Sequence, residues 1–310
     1  MDESIGNLSE QTARNLLDII LPGSDLSSIA VPEGSYSNFT HIVKAQLKDG
    51  SPHQVVVRRY KVFGEYDRGE KARREFQTLC LLNRHKVPAP EALYLDDAGK
   101  VLEIPGIVTN FVKGSLLMDT PPEPLDWARK LARTLAKIHS IPCGEEEQKF
   151  LLKGNAEAAW VAKFDVPPRY MQEYPSGVEV WQLLRELFPK LEKDDPVLLH
   201  IDYWSGNILW HENEISAVLD WEEAAYGDPA VDLGYARMNM VLMGLPEAAD
   251  EFLHTYESQT GSRIKNLGFW ELAASVRPMI DPVGWKVAGA NGLNTNIFLK
   301  FIEDAKKRIS

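Results

Sequence analysis

Apolar positions along the chain follow two rhythms, and the change from one to the other divides it. Over residues 9–20 they fall at Ala13, Leu16, Leu17 and Ile20, the spacing of an amphipathic helix behind a Ser9 cap, and Pro22-Gly23 ends the pattern. Residues 39–47 and 54–60 are apolar or β-branched runs flanking Lys48-Asp49-Gly50-Ser51-Pro52, which predicts strand, turn, strand. Strand alternation puts Val55, Val57 and Arg59 on one face and Val56, Arg58 and Tyr60 on the other, so the two arginines point opposite ways. A helix is expected over residues 69–84, with Phe76, Leu79, Cys80 and Leu82 or Asn83 turned inward and Glu75 on the border, where a carboxylate usually meets solvent. Pro88-Ala89-Pro90 stops it. Residues 91–95 and 100–104 then read as a hairpin around Asp96-Asp97-Ala98-Gly99, and residues 106–112 as a further strand.

Beyond that strand the rhythm becomes helical. Pro121, Pro122 and Pro124 mark a linker, and Asp126 opens a helix carrying Trp127, Leu131, Leu135 and Ile138 on one face until Pro142. The exception is residues 198–233. There, residues 197–199 lead into a loop holding Asp202 and ending at Asn207, residues 208–210 form a strand, and residues 215–219 return to end at Asp220. A hairpin of this kind is expected to carry Asp220 back beside Asp202 and Asn207. The pattern therefore predicts a strand-rich first lobe over residues 1–108, a connector over 109–114 and a helix-rich second lobe over 115–310.

Composition narrows the classes. A chain of 310 residues that is 44% hydrophobic can bury a sizeable core in one large domain or two lobes. A formal charge of -11 argues against a nucleic-acid partner, which calls for a basic face. Cys80 and Cys143 stand far apart without histidines at ligand spacing, so neither a zinc site nor a disulfide framework is expected, and a reducing cytoplasmic compartment is. The first residues lack the basic start and apolar run of a signal peptide, and no stretch has the length of a membrane span.

Two carboxylates and an amide oxygen, Asp202, Asn207 and Asp220, are a hard-oxygen set suited to Mg²⁺, and the carboxylates would repel one another without a cation. Their spacing adds to this. His200-Ile201-Asp202 with Asn207 five positions after the aspartate repeats H-x-D-x-x-x-x-N, in which the aspartate accepts the proton of a substrate hydroxyl and the asparagine holds metal. Asp220 heads Asp-Trp-Glu, where the kinase Asp-Phe-Gly aspartate binds the metal on the nucleotide phosphates. Upstream, Gly34, Ser35, Ser37 and Asn38 form a small polar loop whose amides could approach a phosphate.

The stretch H-I-D-Y-W-S-G-N-I-L-W, followed by V-L-D-W-E and G-D-P-A-V-D-L, resembles the signature of aminoglycoside phosphotransferase and choline kinase-like enzymes. The resemblance extends over about residues 30–235 and takes in the Gly34–Thr40 loop, Val57-Arg58-Arg59, Arg74-Glu75, Val87-Pro88-Ala89-Pro90 and His139. It implies an α+β, bilobal protein-kinase-like fold, with a small antiparallel-sheet lobe and a larger, mainly helical one. It also implies transfer of the γ-phosphoryl group of ATP or GTP to a hydroxyl of a small molecule. Asp202 would be the base, and Asn207 and Asp220 the Mg²⁺ ligands. Arg58, paired with Glu75, would contact the nucleotide phosphates, Ser35, Ser37 and Asn38 would line the phosphate loop, and the Asn110 carbonyl and Val112 amide would meet the purine. His200 would pack to fix the loop, and Asp228 and Asp232 would hold the frame. Many relatives carry glycine where Ile201 stands. Glu145, Glu146, Glu147, Glu222, Glu223 and Asp281 are acidic positions that could attract a cationic acceptor or belong to a solvated surface. The alternative is a nucleotide-binding pseudokinase that senses or scaffolds without turnover. A protein kinase is disfavoured, because no activation segment closed by Ala-Pro-Glu follows Asp220.

Overall fold

The computed structural model describes residues 6–32, 38–62, 67–192, 194–287 and 290–309. It divides into two compact units, the first comprising Met1–Lys113 with Leu219–Glu222 and the second Gly114–Val218 with Glu223–Ser310. The first is built on an antiparallel sheet and the second is mainly helical, which is the architecture of a kinase-like α+β fold.

In the first unit, α1 (Glu10–Ile20) starts at Ser9, whose hydroxyl accepts the Thr12 N–H, as the sequence pattern requires. The sheet contains β1 (Asp25–Ala30), β2 (Phe39–Gln46), β3 (Pro52–Arg59), β4 (Ala92–Asp96) and β5 (Gly106–Asn110) in the order β1-β2-β3-β5-β4. β1 escapes the periodicity because it is an edge strand of sequence Asp-Leu-Ser-Ser-Ile-Ala, mostly exposed, with only its two large apolar residues half-buried. The β2–β3 hairpin turns at Gly50 (φ +83°), with the Asp49 carboxylate accepting the Ser51 N–H. Val43, Ala45, Val55 and Val57 pack with Leu16 and Leu17 of α1 into one core.

The hairpin expected between residues 91–95 and 100–104 does not form: β4 pairs with β5 instead. The Asp96 carboxylate explains this, since it accepts the N–H groups of Lys100, Val101 and Leu102 at 2.7–2.8 Å and closes that segment into a loop. Helix α2 (Arg68–Arg84), capped by Asp67, follows the expected span. Its buried stripe differs: Lys71, Arg74 and Glu75 are buried, while Phe76 and Cys80 are only half-buried. Leu79 and Leu82 are buried as expected, and apolar periodicity misses the rest of the stripe because Lys71, Arg74 and Glu75 are charged and paired.

In the second unit, α3 (Pro124–His139) buries Trp127, Leu131, Leu135 and Ile138 and begins at Pro124, a residue suited to a first helical turn. The strands β6 (Ser115–Leu116), β7 (Leu152–Lys153), β8 (Val197–Leu199), β9 (Ile208–His211), β10 (Glu214–Val218) and β11 (Ala225–Gly227) form two small sheets, β10-β9-β6 and β7-β11-β8. Short helices α4 (Glu145–Gln148), α5 (Gly154–Ala158) and α6 (Arg169–Glu173) precede α7 (Gly177–Leu187), α8 (Ala230–Leu242), α9 (Pro246–Thr260), α10 (Leu267–Ala274), α11 (Val276–Ile280) and α12 (Thr295–Lys307). Helix α3 packs on α9, α8 on α9 and α10, and α10 on α12. Helix α8 is buried almost all round, and Arg237 on it is matched by Glu271 of α10 at 2.9 Å. Among the described residues no helix is long and apolar enough to cross a membrane.

Candidate functional site

Each unit holds a charged centre that gathers candidate residues. In the first, strand alternation separates the two arginines and the packing of α1 on one face of the sheet chooses between them. Arg59, on the face that carries Val55 and Val57, is fully buried, donates to the carbonyls of Leu102 (3.3 Å) and Gly6 (3.0 Å), and is thereby committed to the core. Arg58 points the other way. Its Nε lies 3.2 Å from Glu75 Oε2, its Nη2 lies 3.3 Å from Glu222 Oε2, and Nη2 also pairs with Asp220 Oδ1. Glu75, expected at a solvent border, is buried and also accepts from Tyr60 Oη at 2.6 Å. Burial acts to pull the Arg58 pKa down, but Asp220, Glu75 and Glu222 outweigh it and hold the guanidinium charged well above its ordinary value.

Glu222 is a member of this centre that the sequence reading leaves among surface carboxylates. Lys71 Nζ lies 3.5 Å from it, Asn38 Nδ2 donates to it at 2.6 Å, and Arg74 donates to its backbone carbonyl at 2.7 Å. Burial would raise its carboxyl pKa, yet Arg58 and Lys71 prevail and hold it below the usual 4.5. Its signal in the sequence was adjacency to Asp220, two positions earlier in the same turn.

Carboxylate oxygens of Glu75, Asp220 and Glu222 lie within 4.8 Å of one another, so the donor set here is all hard oxygen. Asp220 sits in the left-handed region at φ +66°, which aspartate tolerates better than most residues. Of the expected phosphate-loop residues, Ser35 and Ser37 lie outside the described residues. The Asn38 side chain is spent within the unit, its Oδ1 accepting the Lys61 N–H at 3.1 Å. Asn110 ends β5, its Oδ1 accepting the Glu91 N–H at 2.7 Å and its carbonyl accepting from Thr109 Oγ1, and Val112 is half-buried just beyond.

In the second unit the loop after β8 places Asp202. The His200 and Ile201 amides both donate to the buried Asp232 carboxylate at 2.7 Å, and Asp232 is braced by His139 Nε2 at 3.2 Å. This clamp holds Ile201 at φ +73°, a conformation that glycine adopts freely and a β-branched residue does not. His200 is fully buried and its Nδ1 accepts the Asp202 N–H at 3.2 Å, a loop-fixing role. Asn207 Nδ2 donates to the Asp202 carbonyl at 2.9 Å and to Asp202 Oδ2 at 2.8 Å. That orientation directs its amide oxygen, the atom a cation would use, away from Asp202.

Asp202 has a second partner that the sequence reading missed: Arg277 of α11 donates from Nη1 to Asp202 Oδ1 at 3.2 Å and from Nη2 to Glu223 Oε2 at 2.8 Å. No motif links positions 202 and 277. Asp228, two residues before α8, accepts the Ala230 N–H at 2.9 Å and the Trp270 indole N–H at 2.8 Å; burial, despite these bonds, pushes its carboxyl up. Glu145 and Glu146 on α4 and Asp281 just after α11 are exposed, in keeping with a solvated acidic surface.

The sequence model of the phosphotransferase enzyme family matches residues 43–267. Among curated proteins, acyl-CoA dehydrogenase family member 10 of Mus musculus is 25% identical over 183 residues, which cover 53% of this chain but only 16% of that protein. Viomycin phosphotransferase of Streptomyces vinaceus is 27% identical over 246 residues, 72% of this chain and 77% of that enzyme. Among solved structures, a streptomycin–ATP ternary complex of the aminoglycoside phosphotransferase APH(2")-IIa superposes with a TM-score of 0.57 at 16% identity, covering 88% of this chain and 90% of that one. The last likeness is one of fold.

Proposed function

The chain belongs to the phosphotransferase enzyme family, and on that premise we propose that it transfers the γ-phosphoryl group of ATP (or GTP) to a hydroxyl of a small molecule. The observation that carries the reading is the Asp202 loop. Its carboxylate is oriented by Asn207, and its backbone is clamped by Asp232.

In the proposed reaction Asp202 accepts the acceptor's hydroxyl proton as that oxygen bonds to the γ-phosphorus. The bond from the γ-phosphorus to the β–γ bridging oxygen breaks, and the nucleoside diphosphate leaves with that electron pair. Arg58, held by Glu75, is the proposed cation for the nucleotide phosphates, and a guanidinium suits that task as a planar fork. Asn207 and Asp220 are the proposed Mg²⁺ ligands, and the hard-oxygen character of the donors supports that assignment. When bound, the metal would supply charge neutralisation on the phosphates. Asn110 and Val112 are proposed to meet the purine, and Ser35, Ser37 and Asn38 to border the phosphates. The first unit is thus the proposed nucleotide unit, and the second the catalytic and acceptor unit. Two cysteines outside any disulfide support a cytoplasmic location.

The test is ADP release from Mg-ATP across a panel of amino sugars, macrolides, choline and amino alcohols. Wild type should release ADP only with a suitable acceptor, and Asp202→Asn should lower the rate by about 10²–10⁴-fold. Silence across the panel together with no nucleotide-dependent stabilisation would overturn the proposal. Nucleotide-dependent stabilisation without turnover would favour the pseudokinase reading.

A further inference from the structure

The Asp202 carboxylate is gripped from two sides, by Asn207 on Oδ2 and by Arg277 on Oδ1. Nothing in the family signature predicts the second grip. Arg277 lies on α11, a short helix whose Val276, Pro278 and Met279 are buried, so its backbone is fixed by packing. Its guanidinium carbon stands 5.0 Å from the centroid of the Tyr235 ring, and Tyr235 belongs to the buried helix α8. One edge of the fork goes to Asp202 and the other to Glu223, each through its own nitrogen, at 3.2 and 2.8 Å. Burial opposes the charge on Arg277, but Glu223, Tyr235 and Asp202 outweigh that and raise its pKa, so it stays a cation throughout the working range.

We propose that Arg277 is a positioning residue for phosphoryl transfer: by sharing one rigid guanidinium between Asp202 and Glu223 while resting on Tyr235, it sets the direction in which the Asp202 carboxylate meets the acceptor hydroxyl. This rests on the reading of Asp202 as the proton acceptor. The arrangement is poorly suited to a role in folding alone. Asp202, Glu223 and Arg277 keep 27%, 45% and 29% of their side chains exposed, so water partly screens the pairs and they contribute less to stability than a fully buried bridge. It is well suited to orientation, because a fork held by a ring and two carboxylates has few conformations left. Lysine cannot reproduce it, since a single ammonium neither stacks as a plane nor reaches two acceptors in fixed directions. Glu223 then acts through Arg277: it fixes the far edge of the fork.

The test compares wild type with Arg277→Met, Arg277→Lys, Glu223→Gln and the Arg277→Met/Asp202→Asn double variant, using the panel acceptor that wild type turns over fastest and saturating Mg-ATP. Arg277→Met is expected to lose about 100-fold in kcat, the scale of a misplaced catalytic group. Its KM for ATP and its urea midpoint should stay at wild-type values, because Arg58 and Glu75 are untouched. Arg277→Lys and Glu223→Gln should fall between the two, and the double variant should be no slower than Asp202→Asn alone. A crystal structure of Arg277→Met should show the Asp202 carboxylate rotated away from its wild-type direction. A kcat within twofold of wild type, additive losses in the double variant, or an Asp202 side chain unmoved in that crystal would each overturn the proposal. If wild type turns over no panel acceptor, the proposed function fails, and the crystal structure still decides whether Arg277 places Asp202.

Discussion

Replacing Arg58 by methionine tests whether the charged centre of the sheet-bearing unit is one electrostatic assembly. The change keeps length and apolar bulk but removes the cation from beside three carboxylates, Glu75, Asp220 and Glu222. Removing one partner of a buried ion pair costs about 3–5 kcal/mol, because a charge is left without compensation. Here the partners are unequal. The Glu75 side chain is only 5% exposed but keeps its bond from Tyr60, while Glu222 keeps Lys71 and Asn38, and Asp220, 20% exposed, is partly screened by water. These retained contacts place the expected loss near the lower bound, at about 3 kcal/mol. With a urea m-value of roughly 2 kcal/mol per M, the midpoint should drop by about 1.5 M at neutral pH.

The pH dependence supplies a second check. In the wild type, Glu222 is held below its usual 4.5, so its contribution to stability is present above that value and is lost as pH falls through the lowered one. In Arg58→Met that contribution is absent, and the stranded carboxyls can escape their cost by taking protons. The gap between the two proteins should therefore be widest at neutral pH and narrow on acidification through the carboxylate range. Arg59→Met serves as the contrast: Arg59 binds the Leu102 and Gly6 carbonyls in the core, so its loss should cost stability yet leave the thermal shift induced by Mg-ATP intact. An Arg58→Met variant that matches wild type within about 0.5 kcal/mol would refute a single electrostatic assembly. Retention of the nucleotide-induced shift in Arg58→Met, with its loss in Arg59→Met, would refute the assignment of Arg58 to the nucleotide.

Two further outcomes follow from groups outside that centre. His41 is buried, its Nε2 accepts the Leu8 N–H at 3.3 Å, and burial together with Arg59 draws its pKa from 6.5 down to about 4. Between those values only the unfolded chain binds the proton, so stability should fall as pH drops from 6.5 to 4, by up to about 3 kcal/mol, and His41→Gln should flatten urea midpoints measured across that window. An unchanged slope in the variant would refute the assignment. Asp232→Asn puts an N–H where one of two backbone donors now finds an oxygen at 2.7 Å; it should cost about 2–3 kcal/mol in urea unfolding and disable turnover, and a variant as stable and active as wild type would show that the clamp on the Asp202 loop is dispensable.

Much of this organisation was legible in the chain because it rests on local rules. The Ser9 cap, the alternation in β3, the helices from about residue 69 and from Pro124, and the β9–β10 hairpin all follow from spacing and turn chemistry. The misreadings have local causes of their own. Residues 100–104 look like a strand by composition, yet the Asp96 carboxylate takes their amides and β5 takes the pairing. The edge strand β1 buries too little to leave an apolar signature.

The sequence by itself determined the candidate chemistry, since Asp202, Asn207 and Asp220 are named by a spacing that survives without any knowledge of packing. It also determined that Arg58 and Arg59 must part company, because successive strand residues face opposite ways. The family resemblance names Arg58 as the partner of Glu75, and the physical reason for that choice lies in the tertiary structure, in the side of the sheet that α1 covers. The same holds for Glu75 and Glu222, which become interior groups once cations 17 to 164 positions away are folded against them, and for Arg277, which reaches Asp202 across 75 residues. Contacts of that separation depend on how helices and sheets pack, and no local pattern of polar and apolar residues records them.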